Sequence, residues 1–159
     1  MSAGAAAGYA VSVAAGMPLV SAETGVLVAV GALAALVPDI DHPNSLIRQR
    51  TGVFGWLAGG WFGHRGFTHT LVALALVALL AGLLLPLPLA AAVVAGYGSH
   101  LLLDALTRSG VPLAWPLTGA AIRLMPRPLQ VRTGSWGESV FLLLLLALLV
   151  GAEVLRRKI

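Results

Sequence analysis

The stretch that decides the fold is residues 68–107, which read THTLVALALVALLAGLLLPLPLAAAVVAGYGSHLLLDALT. It contains two apolar segments, about 68–85 and 89–107, separated by Pro86 and Pro88. A helical membrane span needs roughly 20 mostly apolar residues, and proline favours the end of one helix and the start of the next. The stretch therefore predicts two consecutive membrane helices.

The composition of the whole chain extends this prediction. Of its 159 residues, 58% are hydrophobic and 10% are charged, whereas a soluble domain carries about 25% charged residues. The length leaves room for one unit, so we expect residues 1–159 to form a single integral membrane domain. The absence of cysteine excludes disulfides, thiolate metal sites and a cysteine nucleophile. The net charge of +4 favours contact with anionic membrane lipid, and because no dense basic stripe occurs, no nucleic-acid partner is expected.

Further apolar segments lie at about 3–18, 22–38 and 136–155. The first is rich in alanine and glycine and only weakly hydrophobic, so it could span the membrane or lie in the interface. The predicted fold class is an all-α polytopic membrane helix bundle with four to five spans. Two polar stretches, about 39–67 and 108–135, are rich in Gly, Pro, Arg and Trp, which predicts interfacial loops that carry the functional site.

The basic residues indicate which side these two polar stretches face. If the second to fifth segments all cross the membrane, both stretches lie on one side, and the positive-inside rule makes that side cytoplasmic. The basic residues near the C-terminus favour the opposite orientation. The two stretches hold Arg48, Arg50, Arg65, Arg108, Arg123, Arg127 and Arg132, and the other side holds Arg156, Arg157 and Lys158.

Three short polar patches, at residues 38–43, 63–69 and 100–104, interrupt the apolar sequence. They contain all the histidines and all the aspartates of the chain. Asp and His are the usual oxygen and nitrogen ligands of hydrolytic metals. Because ionisable groups are costly in a membrane, their clustering predicts a metal site.

The predicted topology brings the three patches to one membrane face. The first follows the second segment, the second precedes the third segment, and the last lies in the final turns of the fourth. His100 and Asp104 are four residues apart and share one helix face. We expect one or two divalent ions here, with Zn²⁺ and Mn²⁺ both compatible with mixed ligation. The predicted ligands are Asp39, Asp41, His42, His64, His69, His100 and Asp104.

This donor set is larger than one tetrahedral ion needs, so either two ions bind or some residues orient the ligands. Asp41 and His64 are the candidates to accept a proton from a metal-bound water. Arg65, which lies between Gly63 and Gly66 in what is predicted to be a tight turn, is the candidate to hold a phosphate or to stabilise an oxyanion. A site at the level of the headgroups suits a lipid or lipid-linked substrate.

Each patch also has a purely structural interpretation. Asp41 could cap a short helix that begins at Pro43, and Thr68 could be the N-cap of the third segment. His100 and Asp104 could form a buried hydrogen-bonded pair that joins two helices. The functional interpretation is favoured because such buried pairs are expensive in lipid.

Four motifs carry a resemblance to a known family. They are LVPDIDHP at 36–43, GHRGFTHT at 63–70, GYGSHLLLD at 96–104 with Thr107, and GVPLAWP at 110–116. In this order they resemble the LexA-regulated, membrane-bound, predicted metal-dependent hydrolases of bacteria, over a motif-bearing core of about residues 30–118. The family pattern tends to carry a histidine in the first segment, where this chain has none. The resemblance implies a hydrolase of the bacterial inner membrane and supplies no substrate.

The favoured function is a membrane-embedded metal-dependent hydrolase that cleaves a lipid or lipid-linked (phospho)ester with a metal-activated water. One alternative is a metal-ion or proton transporter that uses the same Asp/His residues, and another is a non-catalytic membrane scaffold. A transport pathway needs polar residues at mid-membrane and on the far side. The second, third and fifth segments contain almost none, which favours an enzyme.

Overall fold

The computed structural model describes residues 2–18, 20–41 and 67–126 of the chain. These residues form four α-helices: α1 (Ser2–Ala14), α2 (Ala22–Ala34), α3 (Leu71–Leu84) and α4 (Leu87–Leu106). Two 3₁₀ turns, Pro38–Asp41 and Phe67–His69, follow α2 and precede α3. In this part of the chain the predicted all-α class is confirmed, since its extended pairing is limited to an isolated bridge between Val111 and Ile122. The predicted segment 136–155 lies outside the described residues.

Among the described helices, α4 alone has both the length and the apolar composition of a membrane span. Its 20 residues extend about 30 Å, the thickness of the hydrocarbon core. The apolar helices α2 and α3 are shorter, with 13 and 14 residues. The count of four to five spans therefore stays a prediction. Leucines on α3 and at the start of α4 are widely exposed, Leu84 at 75% and Leu87 at 82%, as a lipid-facing surface would be.

The start of α3 differs from the sequence-based prediction. The segment was expected to begin at residue 68 with Thr68 as its cap, but α3 begins at Leu71 and its N-cap is Thr70, whose hydroxyl accepts from the Ala73 amide at 3.1 Å. Thr68 instead bridges two turns: its hydroxyl donates to the carbonyl of Pro38 at 3.0 Å and lies 3.1 Å from His69 Nδ1. Helix α2 also ends earlier than predicted, at Ala34 instead of about residue 38, and the Leu36 and Val37 amides then donate to carbonyls three residues back, at Leu33 and Ala34.

Helices α1, α2 and α4 meet backbone to backbone at a set of glycines, here called the glycine crossing. A Cβ added to Gly4 or to Gly96 would lie closer than 3.0 Å to the carbonyl oxygen of Gly31, and one added to Gly8 would meet that of Leu27 in the same way. Such close approach is typical of helices that pack in membranes. Helix α1 is therefore packed against its neighbours. The crossing consists of Gly4, Gly8, Gly31 and Gly96.

The residues after α4 fold back over the ends of α3 and α4. The Leu71 amide donates to the Leu113 carbonyl at 3.0 Å, and the Leu124 amide donates to the Ala105 carbonyl at 2.8 Å. Val111 is fully buried in a core that includes Tyr97 and residues of α3 and α4. This return segment, residues 107–126, therefore ties together the two helix ends at which the polar patches lie.

Candidate metal centre

Four of the predicted ligands lie together in the described structure. Asp39 is in the 3₁₀ turn after α2, His69 ends the 3₁₀ turn before α3, and His100 and Asp104 occupy consecutive turns near the C-terminal end of α4. We call these residues the Asp/His cluster. The side chain of Asp41 and the whole of His42, His64 and Arg65 lie outside the described residues.

The polar atoms of the cluster face one another across short distances. His69 Nε2 lies 3.9 Å from Asp39 Oδ1 and 3.6 Å from Asp104 Oδ2. His100 Nε2 lies 3.5 Å from Asp39 Oδ1 and 3.8 Å from Asp104 Oδ2. One ligand atom from each of Asp39, His69 and His100 lies within 4.8 Å of the other two. Each imidazole therefore faces both carboxylates.

These distances fit a shared cation better than direct pairing. A good hydrogen bond between nitrogen and oxygen is about 2.7–3.2 Å long, and every distance in the cluster exceeds that range. Ligands bound about 2.0–2.2 Å from a tetrahedral zinc ion are themselves about 3.3–3.6 Å apart. The nitrogen–oxygen separations of 3.5–3.9 Å are close to that spacing, so a small contraction would let Asp39, His69 and His100 bind one ion, with Asp104 beside both imidazoles.

Burial supports the same interpretation. The side chains of His69, Asp104 and His100 are 2%, 13% and 16% exposed, whereas that of Asp39 is 48% exposed. His100 Nε2 is buried and has no hydrogen-bond partner. An unsatisfied buried polar atom costs about 1–3 kcal/mol, and a divalent cation between the imidazoles and carboxylates would satisfy it. The residues present therefore fit a metal ion, and Asp39 is the exposed member of the cluster.

Hydrogen bonds behind the cluster hold His69 and the two 3₁₀ turns in place. The Thr68 hydroxyl lies 3.0 Å from the Pro38 carbonyl oxygen and 3.1 Å from His69 Nδ1, so it connects the two 3₁₀ turns. The Tyr97 hydroxyl donates to the backbone carbonyl of Thr68. The His69 and His100 rings meet edge to face, with centroids 5.6 Å apart.

The roles of Thr68 and Tyr97 were not predicted from the sequence. Thr68 was interpreted as a helix cap, and Tyr97 entered only as part of a motif. One signal was present, because Tyr97 precedes His100 by three residues and Asp104 by seven and so shares their helix face. The contact of Thr68 with Pro38 joins residues thirty positions apart, so no local sequence pattern predicts it.

Comparisons with known proteins identify relatives of the chain. A family model described as YdjM inner membrane protein matches residues 2–159. The inner membrane protein YdjM of Escherichia coli K12 is 47% identical over 92 residues, which cover 53% of this chain and 46% of that protein. The protein YvsG of Bacillus subtilis 168, named as uncharacterized, is 36% identical over 117 residues, which cover 73% of this chain and 71% of YvsG. The matched part of this chain thus spans about half the length of the E. coli protein. No solved structure matches the chain.

Proposed function

This chain belongs to the YdjM inner membrane protein family of bacterial inner-membrane proteins, and we propose that it is a membrane-embedded, metal-dependent hydrolase. The observation that carries the proposal is the Asp/His cluster, in which two imidazole nitrogens face two carboxylates at 3.5–3.9 Å and one of those nitrogens is buried without a partner. The resemblance of the motifs to membrane-bound metal-dependent hydrolases supports the reaction class, and LexA control of the gene is part of the same proposal.

The position of the cluster supports a substrate at the level of the lipid headgroups. His100 and Asp104 lie in the last two turns of α4, the helix long enough to span the hydrocarbon core. The end of such a helix lies at the boundary between acyl chains and headgroups. The exposed Arg108 and Arg123 follow on the return segment, where Arg123 Nε donates to the Arg108 carbonyl at 2.9 Å. We propose a lipid or lipid-linked phosphoester as substrate, since these guanidinium groups favour an anionic headgroup.

In the proposed mechanism Asp39, His69, His100 and Asp104 would hold a divalent ion, Zn²⁺ or Mn²⁺, and the remaining donors would be compatible with a second ion. A bound ion of this kind supplies a water whose pKa is lowered toward neutrality, to about 7 in favourable zinc sites. The remaining predicted residues act on the substrate and the proton. Asp41 or His64 would accept a proton from water, and Arg65 would hold the anionic oxygens of the substrate. His42 would be a further donor to the ion.

The same proposal includes a topology. The chain would form one domain over residues 1–159, with four to five spans, a motif-bearing core at about 30–118 and the site at the cytoplasmic face. The excess of arginine in the two polar stretches supports that orientation. A reporter fused near Gly55 should then behave as cytoplasmic, and one fused between Leu85 and Leu89 as external. The reverse pattern would place the site outside.

The activity is tested on full-length protein purified in detergent and returned to vesicles. Bound metal is measured by elemental analysis, and hydrolysis is measured on vesicles that contain phospholipids or isoprenoid phosphates, before and after chelation. We expect roughly one or two Zn²⁺ or Mn²⁺ per chain and turnover that chelation abolishes and metal restores. Glu23→Gln is a matched control, because Glu23 is an exposed carboxylate at the start of α2, away from the cluster.

Three outcomes would contradict the proposal. Protein without bound metal that also fails to take up added metal would indicate a scaffold. Metal-dependent ion flux across the vesicles without hydrolysis would indicate a transporter. Hydrolysis that survives both chelation and Asp104→Asn would place the chemistry elsewhere in the chain.

A further inference from the structure

We infer that Thr68 is a positioning residue that fixes the tautomer of His69 and so turns the Nε2 lone pair of that histidine toward the ion. This inference rests on the proposed metal site and extends it to a residue outside the donor set. Thr68 makes two contacts in sequence. Its hydroxyl lies 3.0 Å from the Pro38 carbonyl oxygen on one side and 3.1 Å from His69 Nδ1 on the other.

The direction of this hydrogen-bond chain follows from the chemistry of its ends. A carbonyl oxygen only accepts, so the single hydroxyl proton of Thr68 is donated to Pro38. The Thr68 oxygen is then an acceptor toward His69, and Nδ1 must carry the proton that it accepts. A neutral imidazole has one N–H, so Nε2 is left with a lone pair. The chain of two bonds therefore selects the Nδ1–H tautomer.

That tautomer is the one that a metal ligand needs. His69 Nε2 is the atom that faces Asp104 Oδ2 at 3.6 Å and Asp39 Oδ1 at 3.9 Å. With the proton on Nδ1, the Nε2 lone pair points to the place between the two carboxylates where an ion would bind. Histidine ligands usually donate their other ring N–H to a partner that fixes the ring. Here the partner is a hydroxyl that is itself anchored to the turn carrying Asp39.

Two further contacts make Thr68 a rigid support. Its backbone carbonyl accepts from the Tyr97 hydroxyl on α4, the helix that also carries His100 and Asp104. Its hydroxyl joins the turn before α3 to the turn after α2. Thr68 therefore connects the three elements that supply the ligands, and His69 itself is 2% exposed, so solvent cannot readily replace the bond at Nδ1.

The neighbouring Thr70 supplies a matched control. It is fully buried, its hydroxyl donates to the Phe67 carbonyl at 2.7 Å, and the same oxygen accepts from the Ala73 amide. It thus caps α3 without contributing to the bond at His69. Thr70→Val should reduce stability by about 1 kcal/mol through the lost cap and should leave the His69 tautomer unchanged.

The test uses the full chain in detergent micelles, with nitrogen-15 in its histidines. Long-range nitrogen–proton spectra of the metal-free protein give the tautomer of each histidine, and the His69 signals are assigned with His69→Gln. Zn²⁺ affinity is measured separately by competition with a chelator. We expect the Nδ1–H tautomer at His69 in the parent protein. Thr68→Val should weaken Zn²⁺ binding by about 10–100-fold, the usual effect of removing a partner behind a ligand, and Thr68→Ser should restore it.

The possible results separate this inference from the proposed function. An Nε2–H tautomer at His69 in the metal-free parent, or unchanged Zn²⁺ affinity in a folded Thr68→Val protein, overturns the inference while the metal site stands. Equal losses in Thr68→Val and Thr70→Val also overturn it, because a general loss of stability then explains both. If Thr68→Val does not fold, the inference is tested by the tautomer of His69 in the parent protein and by the Zn²⁺ affinity of Thr68→Ser. An Nε2–H tautomer in the parent protein overturns the inference. A parent protein with the Nδ1–H tautomer and no affinity for Zn²⁺ or Mn²⁺ supports the inference about Thr68 and contradicts the hydrolase.

Discussion

Helix α4 takes part in two regions that are held together in opposite ways. At Gly96 it meets α2 in the glycine crossing, where backbones touch because side chains are missing. At Tyr97, His100 and Asp104 it faces the two 3₁₀ turns through hydrogen bonds and charged groups. The first region is held together by close backbone packing, and the second by contacts between polar side chains. A substitution should therefore damage the fold in the first region and the proposed metal site in the second.

The largest effect is expected at the glycine crossing. In Gly96→Ala the new methyl group would lie closer than 3.0 Å to the Gly31 carbonyl, and because that neighbour is backbone, the helices must separate. We expect a loss of about 1–3 kcal/mol or more in the free energy of unfolding, measured by circular dichroism during denaturant or thermal unfolding in detergent. Gly98→Ala is the matched control, since a Cβ there meets nothing within 4 Å and alanine favours the helix by about 0.5–1 kcal/mol.

Equal stability of these two variants would contradict the comparison. It would mean that the backbones at the crossing can separate without loss of stability. The chain would then be held together mainly by its polar end.

An intermediate effect is expected in the Asp/His cluster. His69→Ala and Asp104→Asn should remove most of the bound metal and leave the protein folded and inserted in the membrane, because the apolar surface that drives insertion is unchanged. Metal content by elemental analysis and helicity by circular dichroism check the two expectations. Asp104→Asn is the sharper variant, since it keeps the shape of a side chain that is only 13% exposed and removes its charge. Loss of helicity in both variants would show that the cluster acts as a structural link between helices.

The smallest effect on the molecule is expected from Arg65→Ala. Arginine is not a usual ligand of cations, so both the fold and the bound metal should be retained. Turnover of an anionic substrate should fall by about 10²–10³-fold if Arg65 stabilises developing negative charge. Hydrolysis and metal content are measured on the same preparation. Full activity of Arg65→Ala would remove this residue from the proposed mechanism and leave the metal cluster unaffected.

The features that the sequence predicted correctly are those with a local, periodic pattern of residues. The apolar segments predicted the helices, and the spacing of His100 and Asp104 placed them on one face of α4. Prediction was less successful at the helix ends, because Thr68 and Thr70 are both good caps and only the contact with Pro38 distinguishes them. The role of the glycines was also missed. Gly4 and Gly8 are four residues apart, a spacing typical of packed membrane helices, but the sequence does not identify Gly31 and Gly96 as their partners.

The sequence by itself determined that this is a helical membrane protein and that its described Asp and His residues lie near the ends of apolar helices. Hydrophobic length and the 3.6-residue period fix these properties, and both act within one segment. Only the tertiary structure decided that Asp39 and His69 approach the face of α4, that Thr68 joins their two turns, and that glycine backbones set the distance between α1, α2 and α4. These contacts depend on close packing between segments far apart in the chain, and such packing leaves no periodic signal in the sequence.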